Sequence, residues 1–348
     1  MNLAVIAITR NGVRIGAKLI SGLPGATLFV PRKYAEAAQG TVYDGALKEL
    51  LARLWQECDG LVCIMATGIV VRLIAPHLQG KDVDPAVVVM DDAGNFAISL
   101  LSGHLGGANE LASRCALLTG AREVITTATD VNGLPSFDLL AKEEGWVIEE
   151  LSRVKLLNSL LLDDESIGVF DPTGRVQSAF GGRGRLSFYE SCDEALESGA
   201  KGCLFVTNRL LRTPSEKILV LRPRNLVLGM GCNRGTGEEE LGRVVASALE
   251  RLSLSLKSVS CLATAQAKQD EPGLVAFAAS LGVPLFCYES SELNGVIFPS
   301  PASPYALAAI GAKGVAEPAA LLASGNGTLL MEKIKSGNVT LAIAESTK

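Results

Sequence analysis

Short, wholly apolar runs alternate along this chain with stretches whose apolar residues recur at helical spacing. That alternation narrows the fold more than any other feature. LAVIAI (3–8), GLVCIM (60–65) and PAVVVM (85–90) contain no charged or hydrogen-bonding side chain. Strands read this way when both faces of their sheet are covered, as in a mainly parallel sheet between helical layers. Residues 13–19, 45–58 and 69–78 are expected as helices; in the second, Leu47, Leu50, Leu51 and Leu54 share one face. Residues 123–128 (EVITTA) read as a further strand. After Pro135 the pattern resets, with helices expected over 136–144 and 154–162 and strands over 167–170, 203–207 and 218–221. Arg222-Pro223-Arg224 reads as a linker. Beyond it come strand 226–228, helix 238–252, strand 259–263, helix 273–281, strand 285–288, two short helices and a closing hairpin turned by Ser336-Gly337-Asn338. At 348 residues the chain exceeds one ordinary core. The expectation is a multidomain α/β protein. Its N-terminal domain (1–135) and C-terminal domain (223–348) are three-layer-like with mainly parallel sheets, and a smaller middle α/β domain spans 136–222.

Polar residues suited to chemistry gather in DPAVVVMDDAGNFAISLLSGHLGGANELA (84–112), read as strand, acidic turn, strand, Gly-rich corner and helix start. His104 lies in the corner beside Ser102, Gly103, Gly106, Gly107, Asn109 and Glu110. An imidazole titrates near neutral pH, so His104 is the candidate proton shuttle. Asp91 and Asp92 close the first strand, and adjacent strand residues point to opposite faces, so only one can face a site. Asp91 is the candidate; the alternative is an Asx turn holding Gly94 and Asn95. Glu110 either orients a catalytic group or complements the helix dipole. Gly68 opens the helix that carries Arg72, expected on its first turn and able to clamp a carboxylate or to stay solvated. Thr127 and Asp130 end the next strand and are expected at the same sheet edge as His104.

LVLGMGCNRGTG (226–237) is a glycine turn between a strand and a helix. Its third glycine falls at 235, too late for a dinucleotide fingerprint, and the next strand ends without an acid. No Gly-Lys-Ser/Thr closes a P-loop. Two readings stand: an anion or carboxylate site made by Gly231, Asn233, Arg234 and Thr236, or a tight connection capped by Thr236.

A net charge of −5 without a basic, aromatic-laced stripe excludes an evident nucleic-acid partner. The eight cysteines include no CxxC pair and sit mostly in apolar runs, so they are expected as reduced thiols in a cytoplasmic protein. No 18-residue uncharged apolar run predicts a membrane span. With only two histidines, ungrouped with cysteines, no protein metal site is expected.

MATGIVVRLIAPHL (65–78), the 84–112 stretch, TTATDVNG (126–133), LVLGMGCNRGT (226–236) and PYALAAIGAKGVAEPAALLA (304–323) together resemble the cobalt-precorrin-5A hydrolase (CbiG) family of anaerobic cobalamin biosynthesis. The resemblance implies a middle domain between two α/β domains, the last similar to a stand-alone protein of the aerobic route. It also implies a hydrolase that opens the δ-lactone of a cobalt corrinoid and releases acetaldehyde, giving cobalt-precorrin-5B. No cofactor is then expected, since cobalt arrives in the substrate. The expected partners are that corrinoid and, by hand-over, other enzymes of the pathway. Lactone hydrolysis needs a base and a stabilised oxyanion. His104 is expected to activate water, Glu110 or Asp91 to orient it, and backbone N–H groups of Gly103 to Gly107 to receive the negative charge. Arg72 and Arg234 are expected to meet substrate carboxylates. A non-catalytic corrinoid carrier is the alternative.

Overall fold

The computed structural model describes residues 1–37, 40–80, 83–211 and 215–346. Its contacts divide the chain into two compact units, Met1–Leu139 and Leu140–Lys348. The first unit is built on strands β1 (Leu3–Ala7), β2 (Ala26–Pro31), β3 (Thr41–Tyr43), β4 (Gly60–Ile64), β5 (Ala86–Met90), β6 (Phe96–Leu101) and β7 (Arg122–Val124). They form one sheet in the order β3-β2-β1-β4-β5-β6-β7. Helices α1 (Arg10–Gly22), α2 (Leu47–Glu57), α3 (Thr67–Ile74), α4 (Ala108–Thr119) and α5 (Ala128–Val131) connect them.

The apolar runs behave as two-faced strands should. Leu3, Val5 and Ala7 of β1 join one core with Val13 and Leu19 of α1 and Leu111, Ala112 and Cys115 of α4. Ala4 and Ile6 point the other way, into a second core with Leu50, Leu51 and Leu54 of α2 and Val70 and Ile74 of α3. Burying a leucine such as Leu51, which is fully enclosed, contributes about 1.5–3 kcal/mol.

Strands β1 to β5 are mutually parallel, but β6 runs antiparallel to β5, and β7 follows β6 in parallel. The reversal has a local cause. The polar turn 91–95 between β5 and β6 is too short for a crossover, so the chain must double back. The C-terminal ends of β6 and β7 therefore lie at the edge where β4 and β5 begin.

The second unit opens with α6 (Phe137–Glu143), whose first residues lie in the first unit, and α7 (Leu151–Leu162). Strands β8 (Val147–Ile148), β9 (Ile167–Phe170), β10 (Leu186–Phe188), β11 (Gly202–Val206) and β12 (Ile218–Arg222) form a sheet ordered β10-β9-β11-β12-β8, with β8 antiparallel. Two short helices, α8 (Arg175–Phe180) and α9 (Cys192–Glu197), lie between its strands. Strands β13 (Leu226–Cys232), β14 (Val259–Ala265), β15 (Leu285–Tyr288), β16 (Thr328–Ser336) and β17 (Val339–Glu345) form the third sheet, ordered β15-β14-β13-β17-β16. Around it stand α10 (Glu238–Arg251), α11 (Pro272–Leu281), α12 (Ser290–Asn294), α13 (Pro304–Ile310) and α14 (Ala316–Ala323). α10 and α11 cover one face and α14 the other. β16 and β17 pair as the expected antiparallel hairpin.

Three sequence readings need correction. The strand expected over 123–128 stops at Val124, and Thr127 instead precedes the four-residue helix α5. Asn132 Nδ2 and Gly133 N close on the carbonyls of Ala128 and Asp130, so the segment satisfies its own backbone without the sheet. The linker expected over Arg222-Pro223-Arg224 begins one residue later, since residues 223–225 join β12 to β13 while Arg222 is part of the strand. Arg222 ends β12 at 3% exposure; its guanidinium pairs with Glu149 and donates to the carbonyls of Thr207 and Arg209. Gly229 to Cys232 belong to β13 rather than to the glycine turn, because β17 pairs along the strand as far as Cys232↔Val339.

Candidate active site

Beyond β6 the backbone turns sharply. Ser102 adopts a left-handed φ of 58°, and its hydroxyl donates to the Asp84 carbonyl at 3.0 Å. The loop then folds back on itself: Ala108 N donates to the Ser102 carbonyl and Asn109 N to that of Gly103, each at 3.1 Å. A Cβ at Gly106 would lie 2.7 Å from the Ser102 carbonyl oxygen, so only glycine passes there. Gly107, at φ 89°, delivers the chain into α4. These constraints fix the position from which His104 projects.

His104 is held at both ring nitrogens. Nε2 lies 2.7 Å from Asp130 Oδ2 and 3.3 Å from the Thr129 hydroxyl. Nδ1 lies 3.5 Å from Asp138 Oδ2 and 3.4 Å from the Ser136 hydroxyl. The two acids differ in setting: the Asp138 side chain is 5% exposed, that of Asp130 34%. The imidazole is held above its ordinary value of 6.5, chiefly by its bond to Asp138, against the opposing effect of its own burial; Asp130 adds to the rise. The buried carboxylate dominates although Asp130 sits closer, because water screens the exposed one.

Asn109 fixes Asp130 in turn. Its Oδ1 accepts from the Ser99 hydroxyl at 2.6 Å, while its Nδ2 donates to Thr127 Oγ1 at 3.0 Å and Asp130 Oδ2 at 3.1 Å. Asn109 is itself buried, so its orientation is set before any ligand arrives. Ser102, Gly103, His104, Gly106, Gly107, Asn109, Thr127 and Asp130 thus form one neighbourhood of loop and helix start, as the sequence suggests. The arrangement can hold a proton between two carboxylates and pass it through the acid that faces water.

Other expected members lie elsewhere. Asp91 closes its own turn: Oδ2 accepts from Ala93 N and Asn95 Nδ2, and Oδ1 from Phe96 N at 2.7 Å. It sits at the opposite end of β6 from Ser102, roughly 20 Å away along six strand residues. Gly68 and Arg72 stand at that far edge too, after β4. Arg72 occupies the last turn of α3 rather than the first, exposed, and its guanidinium folds back onto the Gly68 carbonyl at 2.9 Å. Glu110 is exposed in the first turn of α4, where it complements the helix dipole. The acids that meet the imidazole are Asp130 and Asp138. Asp138 was not legible as a site residue, because it lies in the first turn of a separate helix and no spacing links it to residue 104.

The C-terminal glycine turn does not stand open to an outside anion. Gly235 N donates at 2.6 Å to Glu271, a 3%-exposed carboxylate that also pairs with Lys268 at 3.0 Å. Glu238, Glu239 and Glu240 fill the first turn of α10. Thr236 turns its hydroxyl onto the Asn233 carbonyl, and Asn233 pairs with Asn338. Gly231 sits within β13 against Thr340, and Arg234 is exposed beside this acidic set. The chain supplies an anion to this turn itself, through Glu271, but Thr236 does not cap α10: Gly237 is the N-cap and receives no side-chain bond.

Among the described residues no group of three or more His, Cys, Asp or Glu side chains could hold a metal ion. Within the same residues all eight cysteines are free, and no helix is long and apolar enough to cross a membrane.

Comparison with known proteins places these observations in a family. Family models described as cobalamin synthesis G N-terminal, cobalamin biosynthesis central region and cobalamin synthesis G C-terminus match residues 49–130, 135–223 and 226–344. A cobalt-precorrin-5A hydrolase from Priestia megaterium is 39% identical over 98% of this chain and 94% of its own length. The Salmonella typhimurium cobalt-precorrin-5A hydrolase is 32% identical over 98% of this chain and 97% of its own. A solved cobalamin biosynthesis protein G homolog from Sulfolobus solfataricus aligns over 99% of this chain and 97% of that chain at 23% identity, with a TM-score of 0.38.

Proposed function

Because the chain belongs to the cobalt-precorrin-5A hydrolase (CbiG) family, we propose that it hydrolyses the δ-lactone of cobalt-precorrin-5A, releasing acetaldehyde and giving cobalt-precorrin-5B. The observation that carries this reading is the Asp138–His104–Asp130 array on the Ser102–Gly107 loop, a proton-handling device in a chain whose relatives are named hydrolases. Water attack on a lactone carbonyl needs a group to take the water's proton and to protonate the departing ring oxygen. The hydroxyl so formed then gives up its proton as its carbon's bond to the macrocycle breaks, which forms the carbonyl of acetaldehyde and leaves the electron pair on the macrocycle. Asp130 is the member with a third of its side chain open to solvent, so it meets the water. His104 exchanges the proton with it across the 2.7 Å bond, and Asp138 with Ser136 fixes the ring from the far nitrogen. Asn109 and Thr127 hold Asp130 in register. Backbone amides of residues 103–107 remain the proposed receivers of the oxyanion. The amides of Ala108 and Asn109 are already donated to the loop's own carbonyls and take no part.

The cobalt belongs to the substrate, and the protein supplies acid–base groups only. The family-model boundaries near residues 135 and 223 support a division into modules 1–135, 136–222 and 223–348. The unpaired cysteines support a cytoplasmic setting. Hand-over of the corrinoid to the next enzyme is part of the same proposal. Incubating the protein with cobalt-precorrin-5A and trapping volatile aldehyde tests the function. Acetaldehyde released over many turnovers is the expected result; stoichiometric binding without aldehyde would make the chain a carrier.

A further inference from the structure

A depression of about 720 Å³ opens in the C-terminal sheet region, between one face of α10 and the edge strand β16. Arg243, Ser247 and Arg251 recur at four-residue steps along α10, and Lys335 faces them from β16. Val244, 8% exposed, and Ile334 supply its apolar lining. Arg243 and Arg251, eight residues apart, stand about 12 Å from each other along the helix.

The Glu240 carboxyl is held below its usual range by its bonds from Asn338, and Arg243 lies near enough to help. Among the described residues, though, no cation of this surface is locked in a close ion pair. Glu240, the acid at the rim, is already engaged: its carboxylate accepts from Asn338 N at 2.9 Å and from Asn338 Nδ2 at 3.3 Å. Gly337, at φ 56°, makes that possible, since a Cβ there would lie 2.6 Å from Glu240 Oε1. The hairpin tip is thus pinned to α10 by the acid, and Arg243, Arg251 and Lys335 stand beside an apolar floor without a salt bridge among the described residues. Arg251 also suits the C-terminal end of its helix, but that does not account for Arg243 or Lys335.

We propose that this depression binds the carboxylate-bearing rim of a tetrapyrrole-sized polyanion, with the flat body over Val244 and Ile334 and separate carboxylates on Arg243, Arg251 and Lys335. An arginine fork takes a carboxylate in a bidentate pair, and the spacing of the two arginines selects a ligand whose acids are carried apart on a rigid frame. The identification of that ligand with the cobalt corrinoid rests on the proposed function; the preference for a polycarboxylate rests on these side chains.

The probe is uroporphyrin III, a tetrapyrrole octacarboxylate, with coproporphyrin III, which carries four carboxylates, for comparison. Binding to the full chain is followed by fluorescence at low and moderate salt. The wild type is expected to bind uroporphyrin more tightly than coproporphyrin and to weaken as salt rises. R243Q/R251Q is expected to lose at least tenfold in affinity and most of the salt dependence. K48Q/R53Q, which removes two exposed cations from α2 in the first unit, is expected to change neither. Unaltered binding by R243Q/R251Q, with its unfolding midpoint unchanged, overturns the proposal, as does an equal loss in K48Q/R53Q. Acetaldehyde release separates the two readings: turnover without site-dependent porphyrin binding sinks the depression alone, while site-dependent binding without turnover sinks the hydrolase reading alone.

Discussion

His104 is one of two histidines in the chain, so its titration can be followed directly by NMR. Its folded pKa is raised above 6.5, chiefly by Asp138. The stability this pairing contributes is therefore fully present below about pH 6.5 and is lost as pH rises through the folded pKa. Asp138→Asn removes the largest raising influence. The His104 titration is expected to move down, and the stability advantage of the wild type over the variant is expected to shrink as pH climbs through that window. An unmoved titration would mean that Asp138 does not govern the imidazole. At this scale the sequence is legible only where chemistry is local. His104, Ser102 and Asn109 lie within eight residues of one another and their grouping can be read directly. Asp138 joins them only through tertiary folding. Asp91, attractive as a strand-end acid, is spent on its own turn, the local bond that Asp side chains favour.

At the scale of elements, the alternation of apolar runs and helical stripes carries most of the fold. It cannot show the direction of β6, and direction decides which loops share an edge. Reversal of β6 and β7 moves His104 away from Gly68 and Arg72, although all three follow strands or open helices in the same way. The segment between Ile167 and Cys203 is the least legible, since α8, α9 and β10 are each six residues or fewer and offer too little periodicity. Glycines are more informative than their neighbours when a close approach demands them. A Cβ at Gly229 would run into the Ala316 carbonyl and lie 2.8 Å from the Ala320 Cβ, where α14 crosses β13. Gly229→Ala is expected to destabilise the C-terminal sheet by about 3 kcal/mol, at the upper end of overpacking costs. Gly235→Ala, with a left-handed φ of 77° but nothing near its Cβ, is expected to cost about 1–2 kcal/mol. Denaturant midpoints of the two variants check the ranking; equal midpoints would mean that α14 can shift away from the strand.

At the scale of the whole molecule, the first unit holds the Asp138–His104–Asp130 array and the second holds the glycine turn and the basic depression. Sequence resemblance covers both ends of the chain and identifies the family. The most direct measurement is the rate of acetaldehyde release from cobalt-precorrin-5A by the wild type and by His104→Ala, under saturating substrate and with folding confirmed. The expected result is a fall of at least about a hundredfold in turnover with substrate affinity largely kept, the signature of a lost proton-transfer group. Release at the wild-type rate would remove the imidazole, and the proton relay through it, from the chemistry.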